Sequence, residues 1–330
     1  MDFTLDDQQQ AISDLADRIL GERTGSDAWT ALVDADLVQL CLPEEAGGSG
    51  LGILEASLVA RQVGRHVAQV PFWSAVAASR AVARHAHVLL PTGTDHLAVA
   101  VWGTVSENEG SRLTGVLSPV PWARGARALL VAAPSGLFVV DTESPGAELV
   151  DEQVITGEPT CTVELEGVEG VALGGGRVAR ESLLQSIRLL IGGTMLGVCE
   201  EALAMTARHA KERQQFGSPI GTFQAVAHRS ADAYIDTEAV RLTVLQAAWQ
   251  LDAGWDATEA VATASFWACE AGHRVLHAAQ HLHGGIGMDT DYPLHQYFRW
   301  ATALESLLGG PHEALLRLGA CLSAGELSVT

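Results

Sequence analysis

Glu212-Arg213-Gln214-Gln215-Phe216-Gly217-Ser218-Pro219-Ile220, with Phe223-Gln224 just beyond, lies between two long apolar-patterned stretches of a 330-residue chain. It closes one helical segment and opens the next. A turn between helices needs residues such as Gly and Pro, and nothing more. This one also holds Arg213, Phe216 and Gln224. Arginine offers a rigid fork of donors matched to phosphate, phenylalanine an apolar face for a planar ring, and glutamine a two-way hydrogen-bonding amide. A second cluster, His281-Leu282-His283-Gly284-Gly285-Ile286-Gly287, closes a later helix. Its glycines let a ligand approach the backbone and leave N–H groups pointing outward. Either cluster alone reads as a cap. Together, in a helical bundle, they point to a shared ligand with phosphates and a flat ring.

The texture around these clusters is helical. Residues 180–213 hold an almost continuous apolar stretch at 187–199, with Gly192 and Gly193 paired inside it. Residues 223–251 and 256–281 predict two more long helices, and 311–323 a last one. The start Asp256-Ala257-Thr258-Glu259 has the character of a capping box. Long helices joined by short turns imply an up-and-down bundle. Upstream, apolar positions Leu5, Ile12, Leu15, Ile19 and Leu20 predict a helix over 5–20, with further helices over 29–40, 53–67 and 73–88. Between the two helical regions the pattern changes. Short apolar runs at 96–102, 128–133, 136–140 and 160–165 alternate with Gly, Pro, Ser and Asn, as in a small antiparallel sheet unit without βαβ alternation.

Composition narrows the function classes. With 48% hydrophobic and 18% charged residues the chain is globular rather than disordered. Its net charge of −20, from 20 Lys+Arg against 40 Asp+Glu, repels phosphate backbones and anionic lipid, so neither nucleic acid nor a membrane is expected as partner. No uninterrupted apolar run reaches the roughly 18 residues of a membrane span. The acidic opening Met1-Asp2-Phe3-Thr4-Leu5-Asp6-Asp7 does not read as a secretory signal. Five scattered cysteines (Cys41, Cys161, Cys199, Cys269, Cys321) with no CxxC fit reduced thiols in a cytoplasm.

Other chemistries lack support. The glycines at 47, 48, 50 and 52 match neither a P-loop nor a dinucleotide-binding fingerprint, and read as a turn. His273, His277 and His281 fall four residues apart with His283 just beyond, a spacing that suits metal ligands. No H-E-x-x-H accompanies them, so packing or hydrogen-bonded histidines are expected, and no metal. No G-x-S-x-G marks a nucleophile.

From end to end the chain resembles the acyl-CoA dehydrogenase family. The segment from Phe3 resembles its opening "F-T-L-x-x-x-Q". Leu42-Pro43-Glu44-Glu45-Ala46-Gly47-Gly48-Ser49-Gly50-Leu51-Gly52 resembles its "P-E-x-x-G-G-x-G" turn, and Leu113-Thr114-Gly115 its "L-x-G". The cluster from Arg213 to Gln224 matches "R-x-x-F-G-x-x-I-x-x-F-Q". His283-Gly284-Gly285-Ile286-Gly287, then Asp291-Tyr292-Pro293-Leu294-His295 and Phe298-Arg299, match "H-G-G-x-G … x-Y-P-x-x-x-x-x-R". The resemblance implies an α+β, mainly α, fold: an N-terminal helical domain (1–92), a reduced middle β domain (93–177) and a C-terminal four-helix bundle (178–330). It implies FAD without a Rossmann fold. Arg213, Phe216 and Gln224 would contact the adenosine-diphosphate part of a flavin held mainly by a neighbouring subunit. His281, where Gln is frequent, with Gly284 and Gly285 would complete that surface, and Arg188 would lie on the substrate side. Also implied are an acyl-CoA substrate, its α,β-desaturation, and an electron-transfer acceptor.

The departures matter as much. The family's catalytic carboxylate stands in one of two places, and these positions hold Leu308 and Ile187 here. A missing positioned base costs roughly 10²–10⁴ in rate. Glu305, one helical turn before Leu308, is the candidate substitute. The "T-E-P-x-A-G-S-D" segment of the middle domain has no counterpart between Leu97 and Arg112. Keeping flavin contacts while lacking the base resembles one subunit of the heteromeric α2β2 enzymes, associated in actinobacteria with steroid side-chain degradation. The expectation is therefore the partner that does not supply the base. The alternatives are a self-sufficient homo-oligomer using Glu305 or another displaced carboxylate, and a flavin-free scaffold.

Overall fold

The computed structural model describes residues 3–84, 90–108 and 111–324. Met1 and Asp2, residues 85–88 of the expected fourth helix, and 109–110 of the stretch compared with the missing middle-domain motif lie outside them. Helices α1 (Asp7–Glu22), α2 (Gly25–Asp34), α3 (Ile53–Arg65) and α4 (Phe72–Ala83) come first. The second is displaced from the expected 29–40: it opens already at Gly25 and ends at Asp34, where the chain turns and Asp36 takes a left-handed backbone.

Eight strands follow: β1 (Leu97–Ala100), β2 (Gly103–Asn108), β3 (Arg112–Pro121), β4 (Ala128–Ala133), β5 (Gly136–Asp141), β6 (Ala147–Glu152), β7 (Thr160–Glu169) and β8 (Val171–Ala172). They form not one antiparallel unit but two four-stranded sheets, ordered β1-β4-β5-β8 and β2-β3-β7-β6, and β1 runs parallel to β4. The runs over 96–102 and 128–140 announced the first sheet. The edge strands β2 and β6 are largely solvent-facing, so hydrophobic alternation could not reveal them. Leu113, Leu117, Val120 and Val163 of one sheet pack with Leu129, Val131, Phe138 and Val140 of the other in one buried core.

The C-terminal half holds α5 (Gly176–Glu212), a two-stranded hairpin of β9 (Gln214–Gln215) and β10 (Ser218–Pro219), α6 (Gln224–Asp252), α7 (Thr258–His283), α8 (Leu294–Leu308) and α9 (Gly310–Ala324). Helix α7 packs on α6, α8 and α9, and α9 also on α8; α5 joins them where Gly192 faces Val244 of α6 and Ala268 of α7. By length and composition α5 could cross a membrane, but 78% of its most apolar window is buried, as in a core helix. The start of α7 differs from a capping box. The helix opens at Thr258 after Ala257, which offers no side-chain cap, and Asp256 instead accepts from the Thr258 N–H at 3.0 Å and hydroxyl at 2.6 Å. Those bonds hold its carboxyl below the usual range. None of the five cysteines is in a disulfide, and burial pushes Cys269 up to about 12.

By contacts the chain divides into two compact units that do not follow chain order. Met1–Leu20, Ser57–Ala68 and Arg188–Thr330 form one, Gly21–Ala56 and Gln69–Ile187 the other. In the first, α3 lies against α5 through glycines. A Cβ on Gly64 would strike the Thr194 carbonyl, and one on Gly197 the Arg61 carbonyl. Arg61 then pairs with Glu200 at 2.6 Å and the Tyr297 hydroxyl donates to the Arg65 carbonyl at 2.8 Å. Gly197→Ala is expected to destabilise the fold by about 1–3 kcal/mol, since backbone rather than a mobile side chain must move. Urea denaturation checks it, and an unchanged midpoint would mean that the helices are not held so closely.

Candidate functional site

The last turn of α5 feeds directly into the hairpin. Arg213 N–H donates to the His209 carbonyl at 2.8 Å, and the Arg213 carbonyl accepts from Ile220 N–H at 2.8 Å. Between these anchors Ser218 pairs with Gln215 and Pro219 with Gln214. Phe216 and Gly217 form the two-residue tip with φ of 51° and 80°. Positive φ at both central positions is the type I′ geometry, which matches strand twist and favours Asn or Gly. Glycine fits it freely, whereas an aromatic L-residue there costs roughly 1–2 kcal/mol. Phe216 is nonetheless 95% exposed, its ring meeting Phe223 edge-on at 6.2 Å. Apart from that one edge contact, no packing among the described residues offsets the strain, which marks the tip as a candidate site. Arg213 and the helix-opening Gln224 are exposed on either side.

The second cluster sits at the end of α7. Gly284 follows the helix with φ 65° and ψ −139°, a conformation for glycine alone, and a Cβ on Gly284 or Gly285 would meet nothing within 4 Å. Both open outward, as does the exposed His281. His283 turns inward and is 6% exposed. Its Nδ1 lies 2.8 Å from the Ala279 carbonyl, which can only accept, so Nδ1 carries the proton. Nε2 then accepts from the Tyr292 hydroxyl at 3.0 Å. The His209 ring stacks on His283 at 4.5 Å with planes 23° apart. Arg213 and Gly284, expected to share a ligand, therefore flank one stack of rings.

His209 escaped the sequence reading, although it stands one helical turn before Arg213, where its ring can meet the same surroundings. Burial, then Arg213, hold its pKa below the ordinary imidazole value, against a smaller opposite pull from Glu212. Burial does the same for His283, opposed by its bond to Ala279 and assisted by His209. Burial raises Tyr292.

Leu308 and Ile187, the two expected base positions, are each 2% exposed. Glu305 is partly buried, with its carboxylate 3.5 Å from His273 Nδ1. The His273 ring lies 4.3 Å from that of His277, which meets Phe298 edge-on at 5.0 Å. The histidine ladder is thus divided. His273 and His277 line an α6–α7 groove of about 490 Å³ with Arg229 and Asp236, while His281 faces solvent and His283 the core. Among the described residues no group of three or more His, Cys, Asp or Glu is placed to hold a metal. Arg188 is partly buried on α5.

Two family signatures match this chain: the acyl-CoA dehydrogenase N-terminal domain over residues 8–97 and the acyl-CoA dehydrogenase C-terminal domain over 174–320. Acyl-CoA dehydrogenase FadE27 of Mycobacterium tuberculosis is 35% identical, over 97% of this chain and 98% of that protein. FadE28 of the same organism is 31% identical over the same shares. Among solved structures, a steroid ACAD, Tcur3481-Tcur3483, superposes with a TM-score of 0.92 at 36% identity, covering 98% of this chain and 99% of that one. The ChsE4-ChsE5 complex from Mycobacterium tuberculosis gives 0.92 at 35%, covering 99% and 100%.

Proposed function

The chain belongs to the acyl-CoA dehydrogenase family, oxidoreductases acting on CH–CH bonds, and we propose that it is the subunit that completes a flavin site shared with a second subunit without supplying the base. The observation that carries this reading is Phe216, a strained aromatic held almost fully in solvent between an exposed Arg213 and an exposed Gln224. A site meant for the chain's own interior would bury such a ring; one meant for a neighbour presents it.

The residues present fit the adenosine-diphosphate part of FAD. Arg213 would fork onto the pyrophosphate, Phe216 offer its face to a flat ring, and Gln224 and His281 add hydrogen bonds. Gly284 and Gly285 leave the approach free of side chains. On a chain of net charge −20, an anion requires such a local cation. When bound, FAD supplies the acceptor for the hydride that leaves the β-carbon. The task of this chain is binding and orientation, with Arg188 on the substrate side. The α-proton would go to a carboxylate of the other subunit, since the two family base positions hold Leu308 and Ile187 here.

Two solved relatives support a heteromer and a substrate class. One is described as a complex of two named chains and the other as a steroid ACAD. The assigned reaction is α,β-desaturation of an acyl-CoA thioester with a bulky, steroid-derived acyl group, in the cytoplasm, with electrons passed to an electron-transfer protein.

The visible spectrum of the chain purified alone, and again when co-produced with its partner, tests the reading. The expected result is little flavin alone, and in the complex a flavin band that bleaches with acyl-CoA. Bleaching by the chain alone would overturn it. Glu305→Gln in the complex is expected to leave kcat within about twofold, whereas removal of a true general base costs roughly 10²–10⁴. A loss of that size would return the base to this chain.

A further inference from the structure

Two imidazoles lie face to face at the end of the bundle that carries Arg213 and Gly284. His283 is 6% exposed with both nitrogens engaged, so its contacts are framework: the Ala279 carbonyl on its own helix and the Tyr292 hydroxyl ahead of α8. His209, stacked on it at 4.5 Å, holds the Arg213 N–H with its own carbonyl. The stack thus ties the turn from which the hairpin springs to the turn from which Gly284 and Gly285 follow. Both halves of the surface assigned to the flavin are joined here by two rings.

Among the described residues the charged groups nearest them are these, with Glu201 paired to Arg208 at 2.8 Å behind them. From α5 come Arg208, Glu212 and Arg213, and His281 precedes His283 on α7. Beyond α7, His295 bonds the Tyr292 carbonyl through Nδ1 at 2.8 Å. Burial keeps both stacked rings neutral near pH 7. Protonating them would set two like charges face to face beside Arg213. It would also turn His283 Nε2 into a donor, so that the Tyr292 hydroxyl had to reverse. The closed stack binds fewer protons than a separated one. It is therefore favoured above the ordinary imidazole value of about 6.5 and is lost as pH falls from there toward the lowered values.

We propose that His209 and His283, tied by Tyr292, are positioning residues that hold the Arg213 hairpin beside the Gly284–Gly285 turn, and that proton uptake by this stack loosens the grip on the adenosine-diphosphate part of FAD. This rests on the shared-flavin reading. An opposite effect competes, since a cation near a pyrophosphate strengthens its binding. His283 is too enclosed to act that way, and a charge on His209 would stand beside Arg213 and repel it, so the loss of the stack dominates.

The experiment measures FAD dissociation from the assembled complex by flavin fluorescence, from about pH 8 to about pH 5. Each variant is compared with its own value at the upper end. The unmodified complex is expected to bind FAD several-fold more weakly on the acid side than at the upper end. His209→Phe keeps a ring in the stack and cannot take a proton, so its curve should flatten; His209→Gln serves if that variant does not fold. Tyr292→Phe leaves Nε2 free to take a proton, so the weakening should begin at higher pH. Parallel curves for the unmodified complex and the His209 variants, or affinity that rises on acidification, would overturn the proposal. Arg213→Ala is run beside them. If it holds FAD normally, the shared-flavin reading itself fails; if it loses FAD while the curves stay parallel, only the stack's role fails.

Discussion

Arg213→Ala is expected to strip the assembled enzyme of its flavin, weakening FAD binding by about 10- to 100-fold. The magnitude follows from the roughly 1.5–3 kcal/mol of a hydrogen bond to a charged group. Among the described residues Arg213 makes no ion pair, and its backbone is pinned on both sides by the bonds to His209 and Ile220. The side chain therefore does little for the fold of this chain, and its loss should leave the melting temperature of the isolated subunit nearly unchanged. Arg213→Lys keeps the charge but not the planar fork, so an intermediate loss is expected. The ratio of flavin to protein after gel filtration, with a titration of the stripped complex, measures both. A complex that keeps a full complement of FAD without Arg213 would sink the shared-site reading.

How far this site was legible depends on what each residue's role required. Arg213, Gln224, Gly284 and Gly285 became candidates because their chemistry is intrinsic to the residue type, and the fold adds only their position and exposure. Phe216 was visible as a ring, yet its left-handed backbone was not. That conformation is imposed by the pairing of Gln214–Gln215 with Ser218–Pro219, two strands too short for any periodicity to show. His209 was hidden for another reason. The role proposed for it rests on stacking against His283, a contact between distant segments that no local pattern carries. The same holds for the fold. The long helices were legible from their apolar period, but not the seating of Gly64 and Gly197 against carbonyls of the opposite helix. The parallel pairing of β1 with β4 likewise rests on partners about 30 residues apart in sequence.

Phe216→Asn should separate stability from binding by moving them in opposite directions. Asn tolerates the left-handed region and, followed by Gly217, gives the hairpin the pair its type I′ turn prefers. The folded chain should gain about 0.5–1 kcal/mol, less whatever the edge contact with Phe223 contributes. Very little burial is lost, because the ring is 95% exposed in this chain. In the complex the ring's face is assigned to the flavin's adenine, and base–aromatic stacking is worth roughly 1–3 kcal/mol. FAD affinity should therefore fall by about 5- to 100-fold while the isolated subunit becomes more stable. Urea denaturation of the subunit and an FAD titration of the complex read the two quantities separately. If stability fell instead, Phe216 would be a packing residue and its strain would need another cause. If stability rose and affinity held, the hairpin would be a plain turn, and the flavin contacts of this chain would have to lie elsewhere. Only the combination of a steadier chain with a weaker grip on flavin is consistent with a residue strained for the benefit of a neighbour.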